Sequence, residues 1–336
     1  MGRFSDHKAP LLAGTVASIT GTAASAGLVL TALTALGATK AQTGSAIFVL
    51  IAMYGLLSIG LSWRYKMPIS IVWSTPGAAL LISSGKLGLP FSSAVGAFIV
   101  TGALLLLTGL WPALGRLVSS IPKPIASAML AGVIFNFCIS PFQSAADYPW
   151  IVLPAILVWL VLYKYATIWA TPAAMVIIFT LTAFAKGISL GSGDFWPHVE
   201  LVAPTFDIAA IVSIGIPLYL VTMASQNIPG VAIMKSFGYE VPFKQVMTAT
   251  GISAILAGFF GGFSMNLAAI TAALNANEHA HKDPERRWLS SVYGGYAYLI
   301  IALLAVPTVA FVLQAPKELV LAAAGLALLG TIVSAL

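Results

Sequence analysis

Long runs of apolar residues, separated by short polar breaks, occupy nearly the whole chain of 336 residues. A bilayer core about 30 Å thick needs roughly 20 apolar residues for each helical span. Reading the runs between charged or Pro/Gly-rich breaks predicts about a dozen membrane spans. Their approximate bounds are 11–35, 42–62, 68–84, 91–113, 122–141, 148–164, 166–186, 208–234, 243–260, 263–277, 288–313 and 317–336.

Two of these spans, the third and the tenth, are interrupted by glycine, proline and small polar residues. The interruptions are Trp73-Ser74-Thr75-Pro76-Gly77-Ala78-Ala79 and Gly261-Gly262-Phe263-Ser264-Met265-Asn266-Leu267-Ala268-Ala269. Backbone that leaves the helix at membrane depth survives only where it is buried in protein or lines a cavity. A matched pair of interruptions in two halves of a chain is typical of the binding site of a secondary transporter. The alternative for each segment alone is an ordinary proline kink.

Three local similarities indicate that the chain contains an inverted repeat. The two broken segments align at an offset of 190 residues, and Ile121-Pro122-Lys123-Pro124 aligns with Ala315-Pro316-Lys317-Glu318 at an offset of 194. Thr15-Val16-Ala17-Ser18 more weakly resembles Thr222-Met223-Ala224-Ser225. Each pair lies seven spans apart, and an odd number of spans inverts the second copy. We therefore predict a first repeat over 1–187 and a second over 188–336. Seven plus seven spans would extend to about residue 380, so we expect two helices to be missing from a truncated chain.

The composition places the protein in the membrane and gives it an orientation. Hydrophobic residues make up 59% of the chain and charged residues 8%, whereas soluble domains carry about 25% charged residues. The net charge of +6 comes from single basic residues scattered among the loops, so no nucleic-acid partner is predicted. With a cytoplasmic N-terminus, 12 of the 16 basic residues fall in cytoplasmic loops, in agreement with the positive-inside rule. The single cysteine, Cys138, excludes a disulfide within this chain.

The two broken spans predict an anion site that needs no charged side chain. If the helices of spans three and ten enter from opposite sides, their N-termini, at Ser74–Gly77 and Ser264–Asn266, meet near the midplane. Each helix N-terminus offers free N–H groups and a partial positive charge, worth about 0.3–1 kcal/mol toward an anion. The candidate binding residues of these segments also suit N-cap positions. They are Ser74, Thr75, Ser264 and Asn266.

Span eight and four aromatic residues supply further candidates. Gln226 and Asn227 are costly inside an apolar helix unless their amides are paired, so we expect them to face a substrate or the backbone. The alternative is a contact that joins two helices. An aromatic wall is predicted from Trp73, Tyr54, Tyr219 and Phe263, with ordinary packing as the alternative for each.

Several function classes are disfavoured. Every acidic residue falls in a loop or at the edge of a span, which disfavours a carboxylate proton relay and a cation channel with an acidic ring. His279 and His281 lie in a polar loop, and no metal or cofactor site is predicted there. The chain has no zinc, P-loop or nucleophile-elbow motif, so we do not expect an enzyme. An anion channel stays open as an alternative, because it could use the same two helix ends.

Four stretches resemble the benzoate/proton symporter family, the benzoate membrane transport proteins, and the resemblance runs over essentially the whole chain. They are PISIVWSTPGAALL at 68–81, IPLYLVTMASQNIPGVAIM at 216–234, GGFSMNLAAITAAL at 261–274 and HKDPERRW at 281–288. The family is similar in fold to the uracil, nucleobase–ascorbate and sulfate transporters. The resemblance therefore implies an all-α polytopic protein with a seven-plus-seven inverted repeat. It also implies a core domain, from 11–113 and 208–313, beside a gate domain, from 122–187 and 315–336.

The resemblance further implies a function and a set of site residues. It implies import of benzoate or a related aromatic carboxylate with a proton across the bacterial inner membrane, and it allows a homodimer. By position the site would consist of Ser74, Thr75, Gly77, Gln226, Asn227, Ser264 and Asn266. Nucleobase carriers of this fold place glutamates in spans eight and ten, where Gln226 and Met265 or Asn266 stand here. The loss of these carboxylates suits an anionic substrate and leaves the proton site unassigned; a nucleobase or sulfate carrier is the alternative within the fold.

Overall fold

The computed structural model describes residues 2–111, 113, 135, 138–187 and 196–335. The predicted fifth span and the motif at 121–124 lie mostly outside these residues, as does part of the segment between the two halves. In the first half the helices are α1 (Gly2–Ala35), α2 (Lys40–Tyr65), α3 (Thr75–Ser84), α4 (Phe91–Leu110), α5 (138–147), α6 (Pro149–Tyr165) and α7 (Thr167–Lys186), with strand β1 (Ile71–Val72) before α3.

The second half begins with a long helix and contains a second short strand. Its elements are α8 (Ile208–Ser236), α9 (Phe243–Gly258), β2 (Asn266–Leu267), α10 (Ile270–Ala276), α11 (Trp288–Ala302), α12 (Ala305–Gln314) and α13 (Lys317–Ala335). The predicted mostly helical fold is confirmed. Most helix bounds lie within a few residues of the predicted spans, although the first helix begins at Gly2 and includes Pro10.

Helices of membrane-spanning length and composition occur in both halves. Among the described residues, four helices meet both requirements: Lys40–Tyr65, Phe91–Leu110, Trp169–Lys186 and Ile208–Ser236. Shorter apolar helices cover Ser25–Ala35 and Pro149–Tyr165. The full count of spans, the orientation and the extent of the inverted repeat stay predictions.

One predicted span is divided. The sequence predicts a single helix over 288–313, but α11 ends at Ala302 and α12 begins at Ala305. Pro307 explains the break, because a proline cannot donate to the carbonyl four residues earlier and its ring clashes with that carbonyl. The N–H groups of Leu303 and Leu304 instead bond to Ile300 and Ile301, three residues back. The helix therefore tightens into a turn before it resumes.

The helices pack closely where glycines face each other. A Cβ atom on Gly14 of α1 would collide with the carbonyl oxygen of Ser290, and one on Gly294 of α11 would lie 3.0 Å from the Gly14 carbonyl oxygen. Only glycine allows the backbones of α1 and α11 to approach this closely. The same two helices are also joined by a hydrogen bond of 2.9 Å from the Ser18 hydroxyl to the Gly294 carbonyl. This contact brings the first helix against the second half of the chain.

Among the residues that the structure describes, the buried apolar side chains form one large cluster and two smaller ones. The large cluster joins α2, α3 and α4 to residues of the second half such as Leu218, Phe263 and Tyr298. A smaller one joins α6, α7 and α13 through residues such as Trp159, Ile178 and Leu326. This grouping resembles the expected division into core and gate domains, which stays a prediction.

Candidate functional site

The two interrupted segments meet in a short antiparallel strand pair. Ile71 of β1 is opposite Leu267 of β2, and Val72 is opposite Asn266. The pairing extends on one side through the Ala268 N–H, which donates to the Ser70 carbonyl at 2.8 Å. The strand pair thus satisfies backbone groups that would be unpaired outside a helix, as buried backbone requires.

The third span resumes its helix as predicted. Ser74 is the N-cap of α3, and its hydroxyl accepts the Gly77 N–H at 3.0 Å. The Ser74 carbonyl accepts the Ala78 N–H at 2.8 Å, and Pro76 has no N–H to donate. These bonds use most donors of the first turn and leave the Thr75 N–H. The α3 end therefore offers fewer free donors than an uncapped helix would.

The tenth span does not begin its helix where the sequence predicted. Helix α10 starts at Ile270 with Ala269 as N-cap, and no side chain caps it. Ser264 and Asn266 lie before this helix, on the extended segment that includes β2. The expectation that Ser264–Asn266 form a helix N-terminus is therefore wrong. These residues contribute side chains and extended backbone to the crossing, and no helix end of their own.

Span eight is continuous but contains two wide turns. Residues Ile211–Gly215 and Met223–Asn227 form π-helix, and in each the next N–H bonds five residues back: Ile216 to Ile211 and Ile228 to Met223. Pro217 and Pro229 follow these turns by two residues. A proline ring displaces the carbonyl four residues earlier, so the helix widens before it. Such π-bulges occur frequently at functional sites.

Asn227, at the end of the second wide turn, holds β2 in place. Its side-chain oxygen accepts the Leu267 N–H at 2.9 Å, and its amide nitrogen lies 3.3 Å from the Met223 sulfur. The neighbouring helix turn is also close, since a Cβ on Gly230 would lie 3.0 Å from the Leu267 side chain and 3.1 Å from the Ala268 carbonyl oxygen. The predicted backbone contact of span eight is therefore made by Asn227.

Three polar oxygens near this junction are buried without a hydrogen-bond partner in the described structure. They belong to the side chains of Thr222, Ser264 and Asn266. The amide nitrogen of Asn266 donates to the Leu267 carbonyl at 3.2 Å, so only its oxygen is unpaired. A buried unpaired polar atom costs about 1–3 kcal/mol. Buried polar atoms of this kind can bind an ordered water or a polar ligand.

Exposure separates the predicted site residues into two groups. Ser74, Asn227, Ser264 and Asn266 are each 0% exposed. Gly77 is also buried, and a Cβ there would lie 2.6 Å from Leu218 of α8. Thr75 and Gln226, by contrast, are only partly buried. Thr75 and Gln226 therefore present part of their surface outside the protein interior, whereas the other five residues are enclosed by protein.

The four predicted aromatic residues make three separate sets of contacts. Tyr54 and Trp73 meet edge to face with ring centroids 5.6 Å apart, and Tyr298 lies 6.0 Å from Tyr54. Phe263 contacts Phe98 of α4 instead, at 6.2 Å. Phe263 therefore packs beside α4, in the same buried cluster as Tyr54 and Trp73, and a common aromatic wall stays a prediction.

The fourth aromatic residue is held by a polar contact. The hydroxyl of Tyr219 lies 2.6 Å from that of Thr108, and its ring belongs to a different buried cluster from Trp73. Trp73 has its own polar contact, because its indole N–H donates to the Ser25 hydroxyl at 2.7 Å. Ser25 was not predicted from the sequence, in which its only signal is a hydroxyl residue within an apolar helix.

A buried polar network on one side of the crossing was also missed. The Ser70 hydroxyl lies 3.0 Å from that of Ser291 and accepts the Asn275 amide at 2.9 Å. The Ser58 hydroxyl accepts the Ile71 N–H at 3.0 Å. These contacts tie the segment before α3 to α2, α10 and α11. Because they join residues far apart in the chain, local patterns could not reveal them.

In the described residues, hydrogen bonds hold the loop after α10 in place. Arg287 donates to the carbonyls of Ala276 and His281, both at 2.8 Å. The Tyr239 hydroxyl donates to the Pro284 carbonyl at 2.7 Å, and burial raises the pKa of Tyr239. His281 bonds within the loop to Asp283. Among the described residues, no group of three His, Cys, Asp or Glu side chains is placed to hold a metal ion.

Comparison with known proteins identifies the family. Residues 5–336 match the family described as Benzoate membrane transport protein. The chain belongs to the benzoate membrane transport protein family. Members of this family are membrane transporters and not enzymes, as the sequence analysis predicted.

Two curated proteins and one solved structure are similar to this family member. It is 37% identical to the inner membrane protein YdcO of Escherichia coli (strain K12) over 333 residues, which cover 99% of this chain and 85% of that protein. It is 32% identical to the benzoate membrane transport protein of Acinetobacter baylyi (strain ATCC 33305 / BD413 / ADP1) over 277 residues, which cover 82% of this chain and 70% of that protein. The transmembrane domain of the cyanobacterial bicarbonate transporter BicA has a similar fold, with a TM-score of 0.61 and 15% identity. The match covers 96% of this chain and 88% of that one.

Proposed function

We propose that this benzoate-family transporter imports benzoate or a related aromatic carboxylate together with a proton. The observation that carries the proposal is the crossing of β1 and β2, where Thr75 and Gln226 are partly exposed beside buried polar side chains. Non-helical backbone inside a membrane protein is retained where it serves a cavity or an ion path.

The chemistry of this site suits a carboxylate. The partly exposed residues offer the hydroxyl and N–H of Thr75 and the amide of Gln226, all of which can donate hydrogen bonds. The residues around them, at 72–78, 222–230 and 263–269, include no acidic side chain that would repel an anion. A neutral set of donors can orient a carboxylate and still release it, because each hydrogen bond is worth only about 0.5–1.5 kcal/mol net.

Proton coupling follows from the electrical work of import. Moving one negative charge into a cell against an inside-negative potential costs about 2.3 kcal/mol per 100 mV. A proton that enters with each carboxylate cancels the charge and removes this cost. The proton gradient then drives accumulation.

The orientation in this proposal places the N-terminus in the cytoplasm of a bacterium, with the protein in the inner membrane. It is supported by the excess of basic residues in the loops that would then be cytoplasmic. Labelling of single cysteines with a membrane-impermeant maleimide, one at Ser5 and one at Thr39, tests it. Cysteine at position 39 should react from outside intact cells, and cysteine at position 5 should react only after permeabilisation.

Counterflow in proteoliposomes tests the transport function. Vesicles loaded with unlabelled benzoate should accumulate labelled benzoate above the level of empty vesicles, and an inward proton gradient should increase net uptake. Absence of both effects would reject the proposal. Gln226→Glu should abolish the signal, while the same change at the exposed Gln314 serves as the matched control.

The alternatives give different results in the same vesicles. An anion channel would conduct without saturation and without dependence on the proton gradient. A nucleobase or sulfate carrier would be inhibited by uracil or sulfate and not by benzoate. Saturable, proton-dependent counterflow that only aromatic carboxylates inhibit would exclude both.

A further inference from the structure

The end of α2 carries an open groove that the transport site does not use. Four residues line it, Gly60, Trp63, Arg64 and Lys66, and its volume is about 320 Å³. A Cβ atom on Gly60 would meet nothing within 4 Å, so the missing side chain leaves a gap in the surface of the helix. The volume lies at the lower end of the range for small-molecule sites, about 300–1,000 Å³.

Two positive charges face this groove, and neither has an acidic partner among the described residues. In the described part of the chain, the ion pairs that involve the loop before Trp288 are those of Arg286 with Asp6 and Asp283. Arg64 and Lys66 take part in neither. The Lys66 ammonium lies 3.8 Å above the centre of the Trp288 ring, and the Arg64 guanidinium lies 5.4 Å from that of Tyr65. These cation–π contacts fix both charges and leave them available to an anion.

The groove continues into an apolar stripe on the same helix face. Leu56, Gly60 and Trp63 follow each other at spacings of four and three residues, so they share one side of α2. Leu56 is 57% exposed and Trp63 is 65% exposed. In a membrane protein this face borders hydrocarbon, and a tryptophan beside basic residues is typical of the level of the lipid headgroups.

We propose that this groove binds an anionic phospholipid. Its phosphate lies between Arg64 and Lys66, and one acyl chain follows the gap at Gly60 along Leu56. Basic pockets at the ends of membrane helices are suited to such headgroups. The apolar stripe favours a lipid over a free phosphate, because a soluble anion would gain nothing from Leu56 and Gly60.

Native mass spectrometry of the purified protein tests the assignment. The protein is released from micelles that contain equal amounts of palmitoyl-oleoyl phosphatidylglycerol and phosphatidylcholine. We expect selective retention of phosphatidylglycerol, and we expect the double variant Arg64→Ala/Lys66→Ala to reduce it about 25-fold, since each of the two cations contributes about fivefold near an anionic surface. Lys40→Ala, at the other exposed end of α2, is the matched control and should change nothing.

A steric variant separates the lipid from other anions. Gly60→Leu fills the gap without changing the charge, and it should reduce phosphatidylglycerol retention while the melting temperature stays that of the unmodified protein. Equal retention of both lipids, full retention by the double variant, or displacement of the lipid by millimolar glycerol phosphate would overturn the proposal. If the double variant has a lowered melting temperature, the lipid retention of Gly60→Leu alone decides the proposal.

Discussion

The side-chain oxygen of Asn227 accepts the backbone N–H of Leu267 at 2.9 Å, and this bond joins the second wide turn of α8 to strand β2. Both residues are buried, so no water can replace the bond. The Asn227 amide, which the sequence predicts as a ligand-binding group, therefore has a structural partner, whereas its neighbour Gln226 is partly exposed.

Removing that side chain should destabilise the crossing. Asn227→Ala leaves the Leu267 N–H buried and unpaired, at a cost of about 1–3 kcal/mol. We expect a lower melting temperature in detergent and reduced counterflow. Ser225→Ala on the same turn is the control, because that hydroxyl bonds only to its own helix, at Val221, and its loss should be mild. Equal melting temperatures for both variants would contradict this role of Asn227.

Adding a negative charge at the site should abolish benzoate binding. Two like charges about 4 Å apart repel by about 4 kcal/mol at an effective dielectric constant of 20, which corresponds to a loss of several hundredfold. Gln226→Glu should show this loss, whereas Gln226→Ala should weaken binding only about five- to tenfold. Equilibrium binding of labelled benzoate measures the difference. Normal binding by Gln226→Glu would exclude Gln226 from the site.

Filling the space at Gly77 should disturb the contact between α3 and α8. A Cβ there would lie 2.6 Å from the Leu218 side chain, and overpacking of this kind costs about 1–3 kcal/mol. Leu218→Ala alone opens a cavity, but together with Gly77→Ala it should cost less than the sum of the two single changes. Gly44→Ala is the control, since its Cβ would meet only Val306, at 3.9 Å. Strict additivity of the melting-temperature changes would show that the two positions do not interact.

The same substitution at two tyrosines should have opposite effects. The Tyr54 hydroxyl is buried without a partner, so Tyr54→Phe should raise the melting temperature. The Tyr219 hydroxyl bonds to Thr108, so Tyr219→Phe should lower it by the loss of about 0.5–1.5 kcal/mol. Thermal scans of both variants measure the signs. Loss of transport in a stable Tyr54→Phe protein would instead mean that this hydroxyl meets the ligand.

Loss of Arg287 should destabilise the protein more than loss of the adjacent Arg286. Arg287→Ala removes charged hydrogen bonds to the Ala276 and His281 carbonyls and should cost about 1.5–3 kcal/mol. Arg286 pairs with Asp6 near the surface, where both side chains are about half exposed, and its loss should cost at most about 1 kcal/mol. The small effect of Arg286→Ala should disappear in high salt. A larger effect of Arg286→Ala than of Arg287→Ala on the melting temperature would contradict this ranking.

Local chemistry made some of these features predictable from the sequence. Ser74 and Pro76 are typical of a helix start, so the beginning of α3 was located correctly. At α10 the residues Ala269 and Ile270 carry no capping or proline signal, and the predicted start was too early. Short-range patterns therefore located a helix end only where a side chain or ring participates in it.

Other features depend on contacts that a local pattern cannot contain. The pairing of β1 with β2 and the contact of Phe263 with Phe98 are set by packing between distant segments. The wide turns of α8 are an intermediate case. Ile216-Pro217 and Ile228-Pro229 stand twelve residues apart, and each follows a turn that has to widen. That signal was present in the sequence and was not used.

The bonds that join β1, β2 and α8 have a mechanical consequence. A segment that is hydrogen-bonded on both sides cannot move independently of its neighbours. The third span, the tenth span and α8 must therefore move together as one rigid body. We therefore expect this body to slide against the other helices, so that solute enters first from one side of the bilayer and then from the other. Thr75 and Gln226 are partly exposed residues of that body.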